Sequence, residues 1–82
     1  MSDAWEIARA AHEVQRAYRE SVGDVTVLPW TNLTHWRRAA LVDKVAYFLE
    51  HPKAPPSRED MAVDQDSITA EFLFRAVVKV LR

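Results

Sequence analysis

Cysteine is absent from this 82-residue chain, and glycine occurs once. Without cysteine there is neither a disulfide framework nor a thiolate metal site to reinforce a small core. A single glycine excludes the glycine-rich loops that cradle phosphates. Proline is scarce too, and three of the four, Pro52, Pro55 and Pro56, are clustered. With so few breaking residues, long helices are expected. No apolar run approaches the about 18 residues of a membrane-spanning helix. The start, Met1-Ser-Asp-Ala-Trp-Glu, has no basic region followed by an apolar run, so no secretory leader and a cytoplasmic location are expected. Excess basic charge is missing as well: 11 Lys and Arg face 12 Asp and Glu. A non-specific nucleic-acid binder is normally more basic, so nucleic acid is not an expected partner.

Size then becomes the constraint. For a 9.4 kDa chain, surface scaling gives about 5,000 Å² exposed against about 13,600 Å² unfolded, which leaves one small domain with a marginal core. Self-association is the expected aid.

What is present reads as helix. Ser2 or Asp3 can cap a first helix over about 3–22, which Gly23 stops by adopting the left-handed conformation. Its apolar stripe steps through Ile7, Ala11, Val14, Tyr18 and Val22, widened by Trp5, Ala8 and His12. The run Val25-Thr-Val-Leu-Pro29-Trp30 is β-branched and then broken, which predicts an extended loop. Asn32 or Thr34 can cap a second helix over 33–50, burying Leu33, Trp36, Ala40, Leu41, Val45, Phe48 and Leu49 and ended by His51-Pro52. Ser57 and Asp60 suggest a short helical turn near 58–63, and Asp66 or Ser67 a cap for a last helix over 67–81. The expectation is an all-α, three-helix bundle forming one domain over residues 1–82.

The last helix is unusual. Glu71, Arg75, Lys79 and Arg82 recur at steps of four, four and three, so nearly all charge falls on one stripe and apolar residues surround the rest. A helix apolar on most sides is normally interior. Two other helices cannot cover it all, so a self-complementary interface with a second copy is expected through Phe72, Phe74, Val78 and Leu81.

Candidate chemistry concentrates between His12 and Trp36. His12-Glu13 begins a zinc-protease pattern, but Arg16 stands where its second His would be, and no metal or cofactor is expected. The carboxylates have helical ion-pair partners at hand, such as Glu13 with Arg16 and Arg16 with Glu20, and no nucleophile elbow occurs, so no enzyme is expected. Tyr18, Trp30 and Trp36 could wall a planar ligand, with Arg16, Arg19 and Arg37 meeting phosphate and His12 at the edge. The competing reading makes Trp30 and Trp36 structural plugs of a small core and has His12 bonded to a loop carbonyl or a neighbouring helix.

Residues His12, Glu13, Arg16, Ala17, Tyr18, Gly23, Asp24, Pro29, Trp30 and Trp36, with the tail Glu71-Phe-Leu-Phe-Arg-Ala-Val-Val-Lys-Val-Leu81, resemble the ryanodine-receptor (RyR) repeat-like domain of small bacterial and phage proteins. The likeness departs at Gln15 and His35, where that family commonly has Asn and Glu, and this chain lacks the family's central hairpin. The resemblance implies a non-enzymatic, helical module. It implies binding of a nucleotide-like small molecule, and for a phage protein sequestration of a host immune signal as an anti-defence function. The alternative is a protein-interaction module, an inhibitor or assembly adaptor working through the apolar last helix.

Overall fold

Asp3 opens the first helix as expected. Its backbone is extended, and its carboxylate accepts the Glu6 N–H at 2.8 Å, satisfying one of the free donors of the first turn. In the computed structural model, which describes residues 3–53 and 65–82, this helix is α1, Ala4–Ser21. It ends where Gly23 takes φ +93°. The Gly23 N–H then donates to the Glu20 carbonyl (3.1 Å) and the Asp24 N–H to the Arg19 carbonyl (2.8 Å), a paired closure of the last turn. The Arg19 guanidinium lies 3.7 Å from the Asp24 carboxylate across the same closure, where an apolar contact is more usual.

Asp24 also accepts the Thr26 N–H and hydroxyl, which starts the extended connection toward Pro29. A single 3-10 turn, Trp30–Asn32, follows. Helix α2, His35–Glu50, is capped by the Thr34 hydroxyl, which accepts the Arg37 N–H at 3.2 Å. It starts later than residue 33 because Leu33 is still extended, at ψ 149°. Helix α3, Gln65–Leu81, starts two residues before the expected 67 and so takes Asp66 and Ser67 into its first turn. The turn expected near 58–63 lies outside the described residues. Among the described residues all regular structure is helical, with no strand.

α1 packs chiefly against α3 and secondarily against α2. Small residues make this approach close: Ala8 and Ala11 are fully buried beside Ile7, and Ala70 is buried on α3. Val45, Leu41, Phe74, Val78 and Trp30 complete the core. α2 and α3 run in the same direction, since Lys44 meets Glu71 and, four residues on in each helix, Phe48 meets Arg75.

Several expected core positions are instead outside it. Val14, Val22 and Trp5 are about two-fifths exposed, because α1 is covered only on the face carrying Ile7, Ala8 and Ala11, and Ala40 on α2 is exposed as well. Trp36 is 71% exposed. On α3 the partition is sharper. Phe74 and Val78, expected at an interface, face the chain's own core, Leu81 packs partly against it, and Phe72 and Val80 remain exposed. Periodicity could not choose among faces of a helix apolar nearly all round; α1 chose.

Nothing lies within 4 Å of a methyl group built on Gly23, so the cost of a side chain there is backbone strain alone. Gly23→Ala should destabilise by about 1 kcal/mol and lower the melting temperature by about 4–8 °C. Thermal unfolding followed by circular dichroism measures it.

Candidate functional site

The block between His12 and Trp36 assembles into a lock and not into a pocket. Leu28 to Trp30 is drawn onto α1 by two polar contacts. The His12 Nε2 lies 2.7 Å from the Leu28 carbonyl, which can only accept, so Nε2 carries a proton and donates. The Glu13 carboxylate accepts the Trp30 backbone N–H at 2.9 Å through Oε1. Its other oxygen accepts from Arg16 Nε at 2.9 Å, while Arg16 Nη1 donates to Glu20 at 3.2 Å. With its backbone held, the Trp30 indole enters the core and meets Trp5 edge-on, ring centroids 5.4 Å apart. His12 is buried beside it, 6.0 Å between centroids.

The structure thus brings together His12, Arg16 and Trp30 from the expected set. It gives Arg19 to Asp24 and leaves Tyr18 half-buried near the helix end. Trp36 and Arg37 project from the exposed first turn of α2. Among the described residues Trp36 makes no ring contact, so no three-aromatic wall forms.

An opening lies elsewhere, between the end of α2 and the length of α3, with a cavity volume of about 480 Å³. Phe48 and Phe72 form aromatic walls, and Val78 lies at its base. Four cations line it: Lys53 just beyond α2, and Arg75, Lys79 and Arg82 along α3. Among the described residues no carboxylate lines it. The α3 spacing that looked like a solvated charge stripe is what places three of these cations on one side. Arg75 lies over Phe48, its guanidinium carbon 4.7 Å from the ring centroid, which keeps the guanidinium plane close to an aromatic surface. The remaining charge of the stripe, Glu71, turns inward and pairs with Lys44 at 2.6 Å.

Parallel α2 and α3 bring both carboxyl ends toward the same end of the groove. Each terminus carries about half a negative charge, so part of the basic cluster serves to complement helix dipoles. Among the described residues, four full charges against two half charges still leave an excess of about three. The spacing of Arg75, Lys79 and Arg82 was visible in the sequence. Its convergence with Phe48 and Lys53 was not, because that needs the direction of α2 relative to α3. Among the described residues no group of three or more His, Asp or Glu is placed to hold a metal ion.

In comparisons with known proteins, no family profile matches this chain, and no curated protein or solved structure matches it either.

The Glu13 carboxyl is held below the usual carboxylate range, first by the Trp30 N–H and then by Arg16. A depressed folded-state pKa contributes stability that is complete above the ordinary Glu value of 4.5 and disappears as pH falls through the lowered one. Glu13→Gln should therefore cost about 1–2 kcal/mol at neutral pH, less for its partial exposure, and flatten the acid limb of the stability curve. Urea titrations from pH 3 to 7 test this, and an unchanged acid limb would contradict it. Trp30→Ala should cost about 3–5 kcal/mol and Trp36→Ala under about 0.5 kcal/mol, read from the same titrations.

Proposed function

We propose that the protein is a non-enzymatic binder of a nucleotide-like anion, which it takes up in the groove between α2 and α3. One observation carries this reading: in a chain of net charge -1, four cations and two Phe rings, with no carboxylate among the described lining residues, surround the same opening. Its volume falls in the range of about 300–1,000 Å³ typical of small-molecule sites. Lys79, Arg82 and Lys53 would meet phosphate oxygens, the arginine by paired hydrogen bonds and the lysines as point charges. The exposed Phe72 ring offers a surface for a base, a contact of about 1–3 kcal/mol where a base stacks fully. The described lining residues include no His, Ser, Cys or carboxylate to act as nucleophile or base, which favours binding over turnover. Sequestration of a signalling nucleotide, the phage anti-defence role implied by the ryanodine-receptor-like resemblance, is the biological form of this proposal.

A second reading keeps α3 as a protein interface. Phe72 is 52% and Val80 79% exposed, and they lie with Ala76 on one side of the helix. Association of two copies along this side would bring two rows of Arg75, Lys79 and Arg82 close together. Such a homo-oligomer should strengthen with salt or a bridging anion, and light scattering at about 20 and 300 mM salt would show it.

Calorimetry with a panel of linear and cyclic adenine nucleotides, inorganic tripolyphosphate and adenosine decides the main reading. ATP should bind, tripolyphosphate more weakly, and adenosine undetectably. Lys79→Ala/Arg82→Ala should weaken ATP binding at least about tenfold with little change in stability, as both side chains are exposed. No heat from any anion at high micromolar concentration would end the proposal.

A further inference from the structure

Glu71 is the sole acidic residue between Ser67 and Arg82, and it stands four residues before Arg75. On an isolated helix that order favours an ion pair between them, which would place a negative charge against the groove's central guanidinium. The fold directs Glu71 elsewhere. Its Oε2 accepts from Lys44 Nζ at 2.6 Å, its side chain is only 7% exposed, and its Oε1 has no hydrogen-bond partner among the described residues. Lys44 reaches this carboxylate from α2, with its ammonium 4.6 Å from the Phe74 ring centroid and 6.0 Å from that of Phe48. Phe48 is therefore shared: Lys44 approaches it, and Arg75 lies 4.7 Å from its centroid.

We infer that Lys44 and Glu71 are a positioning pair that sets the charge of the groove. Lys44 neutralises the one carboxylate of the α3 stripe and holds it toward the core, so that this carboxylate does not oppose an anion entering the groove beside Arg75, Lys79, Arg82 and Lys53. The inference rests on the groove being an anion site. It adds that two residues outside the lining govern how strongly the anion is held.

The physical basis is range. A charge in surroundings of lowered dielectric acts over several ångströms, and a pair in contact largely cancels its own field. Remove the ammonium, and the carboxylate opposes the ligand. Remove the carboxylate, and the ammonium assists it. Both single changes break a partly buried pair and both destabilise the fold. Their effects on anion affinity nevertheless have opposite signs, which loss of stability cannot imitate.

The test is calorimetric titration of the full chain with ATP at low ionic strength, with a thermal melt of each variant. Glu71→Gln should tighten ATP binding about tenfold although it lowers the melting temperature, and Lys44→Met should weaken it about tenfold. Lys44→Met/Glu71→Gln, which removes both charges, should return to within about twofold of the unaltered protein. Should Lys44→Met fail to fold, Glu71→Gln and the double variant carry the same decision. ATP affinity in Glu71→Gln that is equal to or weaker than that of the unaltered protein overturns the inference while leaving the groove reading intact. Absence of ATP binding by the unaltered protein overturns both.

Discussion

Seating of the Trp30 indole in the core is the interaction on which the three-helix arrangement depends. α1 presents mainly Ile7 and two alanines to its neighbours, so the core is shallow, and a large ring must close its open side. The chain achieves this from a loop, which costs ordering entropy that no helical hydrogen bonds offset. Glu13 and His12 offset it by holding the Trp30 amide and the Leu28 carbonyl on α1. Arg16 completes the arrangement, since a carboxylate that accepts from a buried loop needs a cation to satisfy its second oxygen. The residues that looked most like a ligand site are therefore occupied with each other.

This division of labour explains what could be read in the sequence. Helix existence and helix ends were legible at Asp3, Gly23, Thr34 and Pro52, because capping and chain reversal are decided by neighbours within a few residues. The stretch around Ile7, Ala8 and Ala11 was legible by its period. Trp30 and Trp36 were not separable, since both carry the same side chain near one helix start. Only the Glu13 contact, seventeen residues away in the chain, selects which ring enters the core. On α3 the positions of Phe74 and Val78 against Phe72 and Val80 were beyond reach for a related reason: a helix apolar nearly all round has no preferred face until a partner supplies one. The groove suffered most. Its parts were all visible, but Phe48 lies on a different helix, with Lys53 just beyond it, and the parallel course of that helix has no local signal.

The same parallel course creates an electrostatic problem. Two helices ending side by side place two partial negative charges together, and the chain answers with Lys79, Arg82 and Lys53 at that end. Neutralising dipoles accounts for part of that charge. Arg75 stands more than a turn from the α3 terminus, where the dipole has faded, and it is held on an aromatic ring. Its placement is better explained by the groove than by the helix end.

Glu71 sharpens the point. Burying an ion pair rarely stabilises a fold relative to an apolar pair of similar volume, and here one carboxylate oxygen is left without a partner among the described residues. An exposed Glu71–Arg75 pair would have been the cheaper use of the same two residues. By taking the carboxylate to Lys44, the fold accepts a desolvation cost in a marginal core and leaves the α3 stripe entirely cationic from Arg75 onward. A surface so arranged, with Phe72 and Val80 exposed beside it, is poorly suited to meeting another copy of itself at low salt and well suited to an occupant that carries negative charge and an apolar face.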